Sequence, residues 1–165
     1  MNWYLSHQAD RRAVLLANRH YSRKNVDSKQ FMPPGRQLVL INAEGSAVWG
    51  TSWPREDCVD RSWFRDAWMC VIFRNESGIL SSQLIAEAVA CTRWKYPTPV
   101  AGMVTMIDAG KTRRKRDPGR CYRKAGFIHV GFTKAGLYIL QLKPEDMPEA
   151  ATPNGSTLAL WEVSP

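Results

Sequence analysis

The sequence predicts one α/β domain: a central twisted mixed sheet flanked by helices. Three observations carry that expectation. First, apolar runs at Gln37–Ile41 and Ala47–Thr51 flank the turn-forming Asn42–Ser46, and a second such pair at Ile128–Gly131 and Leu137–Leu142 flanks Thr133–Gly136. Both read as antiparallel hairpins. Second, the apolar run Ala67–Phe73 leads into the polar turn Arg74–Gly78. A helical period (Leu80, Leu84, Ala88, Cys91) and a further apolar run, Val100–Ile107, then follow. Strand, turn, helix, strand is a βαβ unit with a parallel strand pair and a right-handed crossover. Third, 165 residues with 44% hydrophobic and 23% charged side chains suit one domain with a sizeable core.

Taken in order, Trp3–Leu5 reads as a short strand. Ser6 or Asp10 then caps a helix running to about His20. Ala9, Ala13, Leu16, Ala17 and His20 share one face of that helix at helical spacing. On this pattern His20 is a core histidine. The alternative is functional: His20, Tyr21 and Ser22 put three proton-handling side chains where the helix ends, an edge suited to a pocket. Residues 23–34 are polar and then proline-rich, a loop. Residues 54–66 show no period and read as a surface connection. Ala67–Phe73 suits a strand buried on both faces. The next helix ends near Trp94, stopped by Pro97 and Pro99. A short helix ends on Gly126, and Phe127 opens the last hairpin. Residues 143–157 read as a loose connection and 158–163 as a candidate final edge strand. There is no internal repeat, so residues 1–165 form a single unit.

The net charge of +8 and pI near 9.6 call for an anionic partner, nucleic acid first and a membrane surface second. No segment has the apolar length of a membrane span, and Met1–Tyr4 does not lead into a signal peptide. The four cysteines lack CxxC or Cys/His spacing and read as reduced thiols, which argues against structural zinc. The positive charge is concentrated. Lys111, Arg113, Arg114, Lys115, Arg116, Arg120, Arg123 and Lys124 place eight cations among fourteen positions, opposed only by Asp117. Solvated helix faces usually mix signs, so a one-sign block beside a Pro-Gly turn points to a polyanion contact. The bland counterpart is a helix end beside a loop kept soluble by charge. The turn Arg74–Gly78 offers backbone N–H groups and a positive helix end to an anion such as pyrophosphate.

The order of elements, with Cys121-Tyr122-Arg123-Lys124-Ala125-Gly126-Phe127 near its end, resembles the GNAT acyltransferase fold. Within that superfamily the wording is most similar to the Mom-like bacteriophage DNA-modification proteins. The phrases that carry the likeness are His20-Tyr21-Ser22, Phe73-Arg74-Asn75-Glu76, Leu80-Ser81, Ile107-Asp108 with Lys111, Asp117-Pro118-Gly119-Arg120-Cys121-Tyr122, Ala125-Gly126-Phe127 and Thr133-Lys134-Ala135-Gly136-Leu137. They span residues 18–142.

The resemblance implies a transferase that converts the exocyclic amine of adenine in double-stranded DNA to a carbamoylmethyl-type group. That change shields phage DNA from restriction inside the cytoplasm of the infected host. It implies acetyl-CoA or a related coenzyme A derivative held by Arg74, Asn75, Glu76, Ser77, Gly78 and Ser81. The usual turn of the superfamily carries an Arg/Gln and two small residues, where this chain has Arg74, Ser77 and Gly78. Tyr122 would face the departing thiolate, and His20, Tyr21, Ser22 and Asp108 would complete the catalytic set. DNA contact would fall to Lys111, Arg113–Arg116, Arg120, Arg123 and Lys124. Simple acetyl transfer does not give the implied product, so a redox metal such as iron is conceivable, with His20 and Asp108 as candidate ligands. The oligomeric state is open, a homodimer included. Two other readings stay in play: an ordinary GNAT enzyme acetylating a small amine or a protein, and a non-catalytic DNA-binding protein.

If the basic run lies along phosphates, duplex affinity falls with salt by about 0.9 log–log units per neutralised phosphate. Replacing Arg113, Arg114, Lys115 and Arg116 with Ser should flatten that slope in a salt titration while the circular dichroism spectrum stays the same. An unchanged slope removes the run from the interface.

Overall fold

The structure is a computed structural model, describing residues 1–26, 28, 30–54, 66–112 and 117–156. Among the described residues, seven strands form one mixed open sheet. In chain order the elements are β1 (Trp3–Ser6), α1 (Arg11–Asn18), β2 (Gly35–Asn42), β3 (Ala47–Pro54), β4 (Trp68–Asn75), α2 (Ser81–Lys95), β5 (Met103–Ile107), α3 (Arg120–Lys124), β6 (Ile128–Phe132) and β7 (Tyr138–Leu142). The sheet order is β1-β2-β3-β4-β5-β7-β6. Every neighbouring pair is antiparallel except β4 and β5, which run parallel across α2. The expected α/β domain, both hairpins and the βαβ unit are therefore present. No helix among the described residues is long and apolar enough to cross a membrane.

Strand alternation divides the core into two layers. Leu38, Leu40, Trp49, Trp68, Leu140 and Leu142 face α2 and α3, whereas Val39, Ile41, Val48 and Ile72 face α1. This is the period of two that a sheet covered on both sides requires. Several buried polar groups on the α2 side find partners, although Trp68 Nε1 does not. Trp3 Nε1 donates to Leu84 O at 2.8 Å. Trp49 Nε1 donates to Thr51 Oγ1 at 2.6 Å, and Thr51 meets Thr92 Oγ1 at 3.1 Å. Such contacts fix α2 against the sheet, because a buried donor without a partner is costly.

Several expectations need correction. Helix α1 is shorter than the apolar stripe suggests, and its cap is Asp10, whose carboxylate accepts from Arg12 N while Ser6 Oγ donates to it. It stops at Asn18, so His20 lies beyond the helix and does not extend a buried stripe; Ala9 is exposed too. Leu80, counted on the apolar face of α2, is its N-cap and is 71% exposed. Strand β4 is buried on both faces only in part: Trp68 and Cys70 are buried in one layer and Ile72 in the other, while Met69, Val71 and Phe73 are half-buried. The segment 143–156 is not a loose connection. Arg93 Nη1 donates to Met147 O and Pro148 O, Ala151 N to Ala90 O, and Asn154 N to Trp3 O. The candidate strand at 158–163 and most of the connection at 54–66 lie outside the described residues.

Gly119 shows how tightly α3 is seated. It adopts φ 77°, and a Cβ there would stand 2.5 Å from Ile107 Cδ1 and 2.9 Å from Leu140 Cδ1. Gly136 has a similar φ, 79°, with nothing within 4 Å. Both Ala substitutions strain the backbone, but only Gly119→Ala also overpacks the core. It should cost about 1–3 kcal/mol more than Gly136→Ala in urea unfolding. Equal costs would mean that α3 yields freely.

Candidate functional site

Parallel pairing between β4 and β5 is confined to Trp68↔Met103, Met69↔Val104 and Cys70↔Thr105. Beyond these pairs the strands diverge. A cleft of about 870 Å³ opens between them, with Val71–Asn75 along one wall and Met106–Asp108 along the other. A bulge shapes the first wall. Gly50 pairs with Ile72 and Thr51 with Cys70, which leaves Val71 as an extra residue in β4. The insertion shifts the alternation by one. Cys70 and Phe73 consequently both meet the α2/α3 layer, while Ile72 joins the α1 layer.

Tyr122 enters from α3, between Phe73 and Phe127, with ring centroids 6.1 and 5.3 Å away in edge-to-face arrangements. Its hydroxyl stands 3.5 Å from Cys70 Sγ. Burial raises the phenol pKa well above its ordinary value, and Cys70 adds to the shift. At neutral pH Tyr122 is a protonated donor. Burial also pushes the Cys70 thiol up to about 12, so it is not a thiolate nucleophile.

The opposite side of the cleft is the chain leaving α1. His20 Nδ1 lies 2.7 Å from Ser22 Oγ and also meets Ser22 N at 3.3 Å. The Tyr21 ring rests against His20 at 4.4 Å between centroids. Burial raises the Tyr21 phenol, an effect partly offset by the Asp108 backbone at the end of β5. There, Asp108 Oδ1 accepts from Lys111 N at 3.2 Å, and Lys111 Nζ is 3.8 Å from Oδ2.

At the exit of β4, Asn75 organises the turn into α2. Its Oδ1 accepts from Ser77 N at 2.9 Å and Ser77 Oγ at 2.6 Å, and its Nδ2 donates to Ile79 O and Ser81 Oγ. No side chain caps α2, so its first turn presents backbone N–H groups outward. Glu76 ties this exit to the end of α1. Arg19 donates to both of its carboxylate oxygens at 2.9 and 2.7 Å, and Arg74 Nε donates to Oε1 at 2.5 Å. Arg74 Nη1 also donates to Arg19 O. Two guanidiniums against one carboxylate leave the corner positive. The Arg19 hydrogen bonds and then those of Arg74 hold the Glu76 carboxyl at about 2.

Of the residues expected at the site, His20, Tyr21, Ser22, Arg74, Asn75, Ser81, Asp108, Lys111 and Tyr122 line this cleft. Glu76, Ser77 and Gly78 sit in the adjoining turn, where Glu76 is engaged by the two arginines. Arg120 and Lys124 are exposed on α3, and Arg123 pairs with Asp117. Arg113–Arg116 lie outside the described residues. His20 and Asp108 share the cleft, and among the described residues no group of three His, Cys, Asp or Glu could hold a metal ion. Reading the sequence missed Arg19, Cys70, Thr105 and Cys121. Cys70 and Thr105 are hidden in apolar strand runs, and Arg19 is one arginine among many. No protein-family model, curated protein or solved structure matches the chain.

The Glu76 corner should register in acid. Its folded pKa, about 2, lies below the ordinary 4.5, so its contribution to stability is complete above pH 4.5 and is lost as pH falls toward 2. With the partners 31–49% exposed, solvent screening keeps that contribution small. Urea midpoints of wild type and Glu76→Gln should therefore differ at pH 6 and converge by pH 2. A constant gap would deny the ion pair that role.

Proposed function

We propose that this protein modifies DNA, converting the exocyclic amine of adenine to a carbamoylmethyl-type group in the manner of Mom-like phage proteins, and so protects phage DNA from restriction. The observation that carries this reading is the cleft itself. His20, Tyr21 and Ser22 on one side, Asp108 on another and Tyr122 on a third converge on a space large enough for a base and a donor group. The charge of +8 and the cations at Lys111, Arg120 and Lys124 favour a polyanion that brings the base there. An adenine amine is paired inside the duplex, so the base is extruded before it enters.

The residues present also suit a coenzyme A derivative. The uncapped start of α2 supplies N–H groups, Ser81 supplies a hydroxyl whose oxygen accepts from Asn75 and whose proton is left to donate, and a Cβ at Gly78 would meet nothing within 4 Å. Neutralisation of Glu76 by Arg19 and Arg74 removes the charge that would repel a pyrophosphate. Such a donor would supply the two-carbon unit and leave as the thiol when an ammonia-level nitrogen takes its carbonyl carbon, and a two-electron oxidant would be needed to join its methyl carbon to the adenine amine. Tyr122, kept protonated by burial, would give its proton to the departing sulfur. Asp108 aligns the amine, a poor nucleophile, and receives its proton, with His20 as the second acceptor. Cys70, also protonated, stays out of the chemistry.

An ordinary acyltransferase would use the same Tyr122, so the product decides between the two readings. DNA from cells expressing the wild type should yield an adenine nucleoside heavier than the unmodified one by mass spectrometry. Tyr122→Phe deletes one hydroxyl and Asp108→Asn one charge, and each should cut the yield by about two to four powers of ten. Unmodified adenine from wild type in a host supplying coenzyme A and iron would sink the proposal. Full yield from both variants would sink the site assignment.

A further inference from the structure

Beside the cleft, β6 and β7 carry a cluster that the chemistry above does not use. His129, Phe132 and Tyr138 pack ring on ring, with centroids 4.8, 5.0 and 4.9 Å apart. They lie on one face of the sheet edge, since Phe132 pairs with Tyr138 and His129 with Leu140. Phe132 is 53% exposed, and His129 is exposed as well. Two exposed rings set on a half-buried third are costly surface unless something covers them. Their position is also specific. Tyr138 pairs with Ile107, next to Asp108, so Phe132 stands two strand spacings, about 10 Å, from the cleft wall.

The surrounding charge indicates what covers the rings. From Pro118 to Lys143 the chain carries Arg120, Arg123, Lys124, Lys134 and Lys143 and no Asp or Glu. Arg123 is paired with Asp117, but Arg120, Lys124, Lys134 and Lys143 are exposed, and exposed aromatic faces on a segment of this charge suit a polymer with flat bases and a negative backbone. Strand addition by a second copy fits less well. The register of β6 against β7 slips between His129 and Gly131, leaving Val130 as a bulge in the edge strand. Bulges of this kind spoil the flat edge that another strand needs.

We infer that His129, Phe132 and Tyr138 form a stacking platform for an unpaired base of the DNA strand whose adenine occupies the cleft. The inference rests on the reading of DNA as substrate. Extrusion of one base leaves its neighbours short of stacking partners, and the platform replaces what they lose. Each stacked base is sequence-tolerant, because every base has a π-face.

The test uses the full-length protein and two single-stranded oligonucleotides of equal length. One carries 2-aminopurine among normal bases, and the other is abasic throughout. Wild type should quench the 2-aminopurine and bind the base-bearing strand more tightly. Phe132→Ala should weaken that binding roughly 5- to 150-fold, as loss of base stacking does, and leave the abasic strand unaffected. Phe132→Trp should restore it. The platform is refuted if Phe132→Ala changes neither affinity or lowers both equally. It is also refuted if sedimentation shows a wild-type dimer that Phe132→Ala splits, because the rings would then be a self-interface. Adenine modification is read separately by nucleoside mass spectrometry. A wild type that stacks bases but leaves adenine untouched keeps the platform and overturns only the enzyme reading.

Discussion

Everything at this site depends on β4 and β5 pairing for three residues and then parting. Parallel strands normally satisfy each other's backbone groups along their length. Past Cys70 and Thr105 that arrangement ends, so the facing N–H and C=O groups of Val71–Phe73 and Met106–Ile107 border the cleft instead of a ladder. Backbone polar groups are obligatory hydrogen-bonding groups. A cleft bounded by them invites a ligand able to bond along an extended strand, quite apart from any side chain.

The open wedge must be held from both layers. On one side the row Trp49, Phe73, Tyr122 and Phe127 packs edge to face through the core, so the Tyr122 hydroxyl is aimed by rings. Aromatic packing of this kind contributes beyond area alone. On the other side the hold is electrostatic. Arg19, Glu76 and Arg74 fasten the end of α1 to the exit of β4. The two supports differ in character. A buried aromatic row resists salt and acid, whereas a half-exposed ion cluster yields to both.

Much of this was legible in the sequence, for physical reasons. Hairpins announce themselves by turn residues between apolar runs, and the βαβ unit by a change of period. The groups at element ends (His20, Tyr21, Ser22, Asp108, Tyr122) were visible because polar residues that interrupt an apolar pattern stand out. Three features were not. The stop of α1 at Asn18 was hidden because the apolar spacing continues to His20, although the backbone does not. The loop-like residues 143–156 are held by carbonyl and amide contacts, which leave little trace in composition. His129 and Tyr138 fall inside apolar runs and Phe132 between a run and the turn, and pattern alone does not tell an outer edge strand from an inner one.

The bulge at Val71 was equally invisible, because an apolar run such as Trp68–Phe73 shows no alternation to break. Yet it decides which side chains meet. Cys70 and Phe73 are three apart, an odd separation that an unbroken strand would send to opposite faces. Paired in unbroken register over these same residues, Phe73 would turn toward α1, and the aromatic row would lose its link to Tyr122. The hydrophobicity of residue 71 matters little to this outcome. What the position supplies is a residue that β3 leaves unopposed, and that one irregularity turns an odd separation back to a single face.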